Sequence, residues 1–594
     1  MLNFYDFEVF KEDWLVVIIN PVDKTENIII NDKEKLEAYY EAHKEEIWIG
    51  YNNRRYDQYI MKGILCGFNP KEINDFIIVE NKMGWQYSNM FMKIPMINFD
   101  IMLKTDKGLK VLEGMMGNDI RETTVPFDID RKLTDDEIAE TVKYCKHDVE
   151  QTIEVFLARK SEFDASMGLI NIFKLPLSYM GKTKAQLVSV ICGGIGEKFN
   201  DEFNFPIVDT LKLSKYKYIE DWYLDKENRD YSKSFETHVA GVDHIFAWGG
   251  IHGAIPQYHE KGVFLMADVT AYYPSLQLRY KFGYRNMSMP KNFEHIHNEN
   301  LRLKKIDKKA RLPYKIADNS MSGQLKDYHS KLYDPRDNNA ITVNGQLLLV
   351  DLIEKLEPYI EKLVQSNTDG ILIKLRSIND YEKIDDIVWE WEQRTGMRMG
   401  FDLYNEVFQK DVNNYLIVAD DGSYKSKGGY VKPLSQLDYD LPIINEALVK
   451  YMTDGTPVEK TINDCYELIK FQKIVKVSSK YLYGLKNPTY SRKKVQSGIS
   501  ARTGKSLYKT AEFWNGDGEK LTDTTFRVFA SNDPSDGIIA KVKNVDKNPE
   551  KFADTPDNCF IDNSNVNGKK VPSKLDKQWY IDLALKRLKQ FGVI

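Results

Sequence analysis

The chain has 594 residues, 42% hydrophobic, 29% charged and 12% aromatic, which excludes a small binding module and a disordered chain and predicts about three to five subdomains of roughly 100–200 residues each. The net charge of −5 at first argues against a nucleic-acid partner, because phosphate binding leaves an electropositive footprint, but it averages over basic clusters at Lys304, Lys305, Lys308, Lys309 and Arg311, at Arg492, Lys493 and Lys494, and at Lys586, Arg587 and Lys589. The N-terminus MLNFYDFEVF lacks a basic stretch followed by an apolar core, and no run of 18 apolar residues occurs, so neither export nor a membrane span is expected.

In chain order, residues 2–10 and 14–20 read as paired strands, and 34–44 and 56–67 have helical composition, an α/β opening. Thr134-Asp135-Asp136-Glu137 is a capping box, and Ile138, Val142, Cys145, Val149, Ile153 and Phe156 continue at helical spacing, so a helix is expected over about 134–159. Gly262 to Ala267 reads as a buried strand ending at Asp268. Ile341–Leu363 reads as helix before a hairpin in VQSNTDGILIKL, so the centre is expected to be antiparallel strands backed by helices. Beyond about 510 the chain is rich in Asp, Asn, Gly and Lys, with a last amphipathic helix near 575–591. The five cysteines, Cys66, Cys145, Cys192, Cys465 and Cys559, have no zinc-ligand spacing and are expected to be reduced, buried and apolar in role.

Two sets of carboxylates carry the chemistry. Asp6 and Glu8 are two apart on a strand and leave the same face; Asp57 opens a helix in GYNNRRYDQY; Tyr144 and Asp148 are four apart on the long helix. Phosphodiester hydrolysis needs several acids, because two divalent ions roughly 4 Å apart must stabilise both the attacking and the leaving oxygen. This order, D-x-E, then N-x-x-Y-D, then Y-x-x-x-D, resembles the proofreading 3′–5′ exonucleases of the DEDD type. The resemblance implies that Asp6, Glu8, Asp57 and Asp148 hold metals and that Tyr144 orients water. Either Asn52 or Asn53 could be the asparagine that meets the strand end.

The second set centres on Asp268 and Asp369. DVTAYYPS, KIADNSMSG and SNTDGI resemble, in order, the three polymerase motifs of family B DNA polymerases. The resemblance implies metal binding by Asp268 and Asp369, a sugar gate at Tyr273, and a triphosphate clamp from Lys315 and Asn319 with Arg302 upstream. WGGIHGA, with Gly249 and Gly250, is similar to the segment that coordinates the two activities. QKDVNNYLIV and SYKSKGGY are similar to the primer-gripping region, which implies DNA contacts from Lys410, Tyr415, Lys425 and Lys427. Departures are Ala271, Tyr272, Ser322, Asn367, Gly370 and Asn413. The 47 residues from Asp268 to Lys315 leave room for only a short fingers hairpin, so an ordinary primer and weak strand displacement are expected.

The expectation is a compact, virus-type family B DNA polymerase with proofreading, of mixed α/β and α+β multidomain class. A ribonuclease H-like exonuclease domain over 1–165 is followed by a linker and first palm part over 166–295 and fingers over 296–335. A second palm part over 336–430 and a thumb and C-terminal region over 431–594 complete the right hand. The resemblance implies two Mg2+ or Mn2+ ions per active site, with primer–template DNA and deoxynucleoside triphosphates as partners. Replication accessory proteins are further partners by the same analogy, with a monomer in the cytoplasm, the host's if viral. The alternative is a 3′–5′ exonuclease whose degenerate polymerase half serves as a DNA-binding platform. Gly181-Lys182-Thr183 and Gly504-Lys505-Ser506 lack the upstream glycine of a P-loop and are expected to be turns.

Overall fold

The computed structural model describes residues 1–499, 506–514, 517–543 and 548–593, a mixed α/β chain that divides into two compact units. One comprises Met1–Arg159, Pro433–Ala447 and Thr456–Leu585; the other comprises Lys160–Lys432, Leu448–Gly455 and the last residues from Lys586.

The first unit opens with a five-stranded sheet in the order β3-β2-β1-β4-β5. β1 (Leu2–Val9) runs antiparallel to β2 (Trp14–Asn20), and β2 antiparallel to β3 (Thr25–Ile30). β4 (Ile47–Gly50) lies parallel to both β1 and β5 (Ile97–Asp100). Helices α1 (Lys33–His43), α2 (Asp57–Cys66), α3 (Pro70–Ile78), α4 (Leu109–Met115) and α5 (Asp135–Ala158) surround it. β1 is central, so Phe4, Tyr5, Phe7 and Val9 are all buried, and its acids are conspicuous among them. The expected capping box sets the start of α5: Thr134 Oγ1 accepts from Glu137 N at 3.3 Å while the Glu137 carboxylate accepts from Thr134 N at 2.9 Å.

The second unit begins with α6 (Lys160–Ile172), α7 (Lys184–Ile191) and α8 (Lys217–Leu224). Gly181-Lys182-Thr183 is a helix start, where Thr183 Oγ1 accepts from Gln186 N at 3.2 Å; Gly504 and Lys505 lie outside the described residues. The strands of this unit are β6 (Phe235–Val239), β7 (Val242–Phe246), β8 (His252–Ala254), β9 (Tyr258–Val269), β10 (Lys362–Asn367), β11 (Gly370–Leu375), β12 (Met399–Asp411), β13 (Asn414–Val418) and β14 (Tyr424–Lys427). They form a nine-stranded antiparallel sheet in the order β14-β13-β12-β9-β11-β10-β8-β7-β6. Its helices are α9 (Tyr272–Tyr280), α10 (Pro290–Leu303), α11 (Lys308–Lys326), α12 (Pro335–Leu356) and α13 (Tyr381–Thr395).

α12 ends at Leu356, not at Leu363 as the periodicity suggests. Pro358 bars a longer helix, and Lys362 and Leu363 instead pair with Lys374 and Ile373. α10 and α11 form a helical hairpin, and α11 also packs on α6 and α7 through Leu169, Val188, Ala317 and Met321. The ring of Pro313, inside α11, sits where a Cβ on Gly168 would lie, at 2.4 Å.

After β14 come α14 (Pro442–Asp454) and α15 (Val458–Asn463), and the chain then completes the first unit with short strands. β15 (Lys473–Lys476), β20 (Thr525–Ala530) and β23 (Cys559–Ile561) form one sheet. β16 (Tyr483–Lys486), β19 (Glu519–Leu521), β21 (Ile539–Val542) and β22 (Glu550–Lys551) form another, and β17 (Tyr490–Ile499) and β18 (Ser506–Trp514) form a two-stranded ribbon. Val475, Phe526, Val528, Ile539 and Cys559 fill the core between them. α16 (Lys577–Lys589) matches the last predicted helix. Cys145, Cys192 and Cys559 are buried free thiols, whereas Cys66 and Cys465 are half-buried. Among the described residues no helix is long and apolar enough to cross a membrane.

Candidate metal centres

The first centre forms where β1, α2, α4 and α5 meet. Strand alternation puts Asp6 and Glu8 on the face covered by α5, and α5 brings Tyr144 and Asp148 over them one turn apart. Asp57 opens α2, where its Oδ1 accepts the amide of Phe7 at 3.1 Å. Glu8, Asp57 and Asp148 are all less than a tenth exposed. Ligand atoms of Asp6, Glu8 and Cys145 lie within 4.8 Å of one another, as do those of Glu113, His147 and Asp148.

Burial raises Asp6, Glu8, Asp57 and Asp148. Asp6 and Glu8 are pushed well above the ordinary carboxylate range by burial first, then by their acidic neighbours. Burial takes Asp57 to about 7 against the pull of the Phe7 amide, and Asp148 to about 6 against the pull of Lys110. Burial likewise raises the Tyr144 hydroxyl, and Asp148 raises it further.

Of the two asparagines, Asn53 is the one that reaches β5: it is fully buried and its Nδ2 donates to Asn98 Oδ1 at 2.9 Å and to Phe99 O at 3.3 Å. Asn52 instead takes the turn, at φ +66°.

Sequence reasoning missed two members of this centre, both on α4. Lys110 Nζ donates to Asp148 Oδ1 and, at 3.2 Å, to Glu113 Oε1, and it lies 4.5 Å from the Tyr144 ring centroid. Burial alone would lower the Lys110 ammonium, but Asp148 and Glu113 outweigh it. Glu113 is fully buried, and its Oε2 faces His147 Nε2 at 3.5 Å with no hydrogen-bond partner among the described residues. A lysine and a glutamate one turn apart read as an ordinary surface helix pair, so no spacing rule connects them to Asp148.

The second centre lies at the ends of β9 and β11. Their register sets Asp268 opposite Gly370, and Val269 N donates to Asp369 O at 2.7 Å, so the two aspartates flank one point of the sheet. Asn367 caps its own turn, with Oδ1 accepting from Thr368 N at 2.8 Å. Gly370 is required by space: a Cβ there would stand 2.1 Å from Asp268 Oδ1 and 2.8 Å from Ala267 O. Gly250 packs against the same turn, where a Cβ would meet Thr368 Oγ1 at 2.5 Å, while Gly249 faces open space. Partial burial raises Asp369, the Asp268 carboxylate adds to it, and Lys427 and Lys425 oppose it.

Past Asp268 the strand turns sharply into α9 through Ala271, at φ +47°, a conformation that costs a non-glycine residue about 1–2 kcal/mol. This turn buries Tyr272, whose hydroxyl donates to Gly345 O at 2.7 Å, and leaves Tyr273 partly open. The Tyr273 ring lies beside Gly345, 3.4 Å from where a Cβ would stand, and burial first and then the Asp369 charge raise the Tyr273 hydroxyl.

Lys315 and Asn319 are exposed one turn apart on α11. Arg302, exposed on α10, forks onto Glu299 through Nε at 2.8 Å and Nη2 at 2.7 Å. Lys425 Nζ donates to Asp268 Oδ2 at 2.6 Å, so this lysine stands on the candidate metal ligand. Lys427 acts on Asp369 and His252. Lys410 pairs with Asp411 at 2.9 Å, and Tyr415 is buried in the sheet core with Val407 and Ile417.

No protein-family model and no curated protein matches the chain. Among solved structures it is similar to the family B DNA polymerase from the hyperthermophilic archaeon Pyrobaculum calidifontis. That likeness has 13% identity and a TM-score of 0.40, and covers 100% of this chain and 78% of the other. At that level the likeness carries no weight for function, which rests on the residues of this chain.

Proposed function

We propose that the chain is a template-directed DNA polymerase of the family B type with a 3′–5′ proofreading exonuclease. The observation that carries this is the β9/β11 register, which sets Asp268 beside Asp369 at an open sheet end, in the same unit as the Lys315 helix. Both acid sets offer carboxylate oxygen, the donor that Mg2+ and Mn2+ prefer; Asp6, Glu8 and Asp369 are raised first by burial and then by neighbouring carboxylates, and a divalent cation would relieve that second, like-charge part. Asp268 and Asp369 would hold two ions for synthesis, and Asp6, Glu8, Asp57 and Asp148 two for editing. Bound there, such ions stabilise the entering and departing oxygens of phosphoryl transfer.

The rest is the work of side chains. Lys315, with Asn319 one turn on and Arg302 on the neighbouring helix, would neutralise the triphosphate, since phosphoryl transfer is catalysed mainly by positioning and by stabilising developing charge. Tyr273, packed beside Gly345, would form a floor under the sugar and exclude a ribose hydroxyl. In the nuclease centre Tyr144 would orient the attacking water, while Lys110 holds Asp148 and keeps the Tyr144 ring in place. On this reading the first 165 residues are the ribonuclease H-like exonuclease, α10 and α11 the fingers, the nine-stranded sheet the palm, and the region from 431 the thumb.

The test is a labelled primer–template in Mg2+, with and without deoxynucleotides. The wild type should extend with nucleotides and shorten without them. Asp369→Ala should abolish extension only, and Asp6→Ala with Glu8→Ala should abolish shortening only. A wild type that never extends would sink the polymerase reading.

A further inference from the structure

The helix that carries Lys110 and Glu113 is held from the far end of the chain. Arg527, on β20, is fully buried and spends its whole guanidinium on this junction. Its Nη2 donates to Gly114 O at 3.1 Å and to Asn118 O at 2.7 Å, the first of these 413 residues away in sequence. Its Nη1 donates to Asp562 O at 3.2 Å and Ser564 O at 2.6 Å, and its Nε to Gln472 Oε1 at 2.9 Å.

Gln472 in turn donates to Met115 O at 3.0 Å, and Asn567 Nδ2 to Met116 O at 3.1 Å. Val566 N donates to Gly117 O at 2.8 Å, Ile120 N to Asn563 O at 2.8 Å, and the Glu122 carboxylate accepts from Thr524 and Thr525. Asn118 completes the path: its side chain bonds Gln151 at 2.8 Å and Glu154 at 2.7 Å on α5, the helix of Tyr144 and Asp148. Nearly every free carbonyl at the end of α4 is therefore taken up by the carboxy-terminal β region. A planar five-donor guanidinium suits this use, because a lysine could satisfy only part of the fan.

We infer that the carboxy-terminal β region is a working part of the nuclease centre, with Arg527 a positioning residue that fixes α4 so that Lys110, braced by Glu113, stands on Asp148. This rests on the nuclease reading above. An ammonium on Asp148 competes with a cation for the same oxygens while holding the acid and Tyr144 in register. Loosening α4 should therefore tighten cation binding and slow hydrolysis together, two changes of opposite sense that general damage to the fold does not produce.

The test is a cycle on the full chain: wild type, Lys110→Ala, Arg527→Lys and the double variant. Equilibrium Mn2+ binding is read by titration, and degradation of single-stranded DNA by kcat and KM. Arg527→Lys should lower kcat about tenfold at little change in KM, the scale typical of residues that orient a metal centre, while Mn2+ binds more tightly and primer extension is unaffected. In the Lys110→Ala background it should add nothing, because it acts through that lysine. Additive losses, or looser Mn2+ binding, would overturn the inference. If Arg527→Lys does not fold, Glu122→Ala, at a half-buried position, takes its place in the same cycle and should move both readouts the same way; no movement overturns it. A wild type whose degradation survives Asp6→Ala with Glu8→Ala would instead strike the nuclease reading itself.

Discussion

Both centres contain a lysine on a candidate metal ligand, and the two pairs differ in burial. Lys110 and Asp148 are 13% and 10% exposed at the side chain; Lys425 and Asp268 are 39% each. A pair shielded from water is expensive to break on one side, whereas an exposed pair is worth little. On the proposed function the buried lysine thus belongs to the architecture of the first centre, and the open one is a placeholder that a cation would displace. The acids differ only in degree. Burial raises Asp6, Glu8, Asp57 and Asp148, and partial burial also raises Asp369, which stands exposed in the turn before β11.

The largest effects should come from removing ligands. Asp268→Asn should cut primer extension by about 10³-fold or more, and Asp57→Asn should do the same to degradation, each sparing the other activity, since stabilising charge at the reacting oxygens supplies most of the rate enhancement. Loss of both activities from either change would deny that the centres are separate. Next is Gly370→Ala, which drives a methyl into Asp268 and the backbone of Ala267. A displacement of an ångström at a reacting centre costs about 10²-fold, so extension should fall by that much with degradation intact.

pH separates the centres further. A carboxyl raised in the native state stabilises the fold below its unfolded value, about 4, and that contribution is lost as pH rises through the native value. For Asp148 and Asp57 those native values are about 6 and about 7. The metal-free protein should therefore melt at lower temperature at pH 8 than at pH 5, with Mg2+ or Mn2+ restoring it. Degradation should rise by up to about tenfold per unit below pH 7, because the ligands must shed protons, while extension changes less. A melting temperature that climbs with pH in the absence of metal would contradict the burial argument.

What is legible in the sequence follows the range of the interactions. Asp6 and Glu8 alternate on one strand, Tyr144 and Asp148 share one turn, and the capping box marks the start of α5; each is decided within a few residues. Asp268 and Asp369 are far apart, but one lies near the end of β9 and the other in the turn just before β11, each with its own local signature. Lys110, Glu113 and Arg527 have no such signature, since their role exists only once β20 is folded against α4. β19, β21 and β23 are hidden for a different reason: segments of three or four residues between Asp, Asn and Gly turns carry too little alternation to stand out. The helical pattern overruns α12 because Leu356, Ile360 and Leu363 continue its apolar spacing, although Ile360 and Leu363 serve the sheet that follows.

The smallest expected effect is the sharpest test of the contrast between the two lysines. Lys425→Ala removes an exposed partner from Asp268, and exposed pairs contribute about 0.2–1 kcal/mol, so the Mg2+ concentration that half-saturates extension should fall by no more than about fivefold. Lys110→Ala frees a buried carboxylate and should tighten Mn2+ binding at the nuclease centre by a larger factor while slowing degradation. The sense of the catalytic change separates them. A placeholder can leave without harm to the chemistry, so Lys425→Ala should keep its rate at saturating Mg2+, whereas an architectural lysine cannot. Should Lys425→Ala stop extension even at saturating Mg2+, Lys425 belongs to the reacting centre, and the two pairs differ in exposure alone.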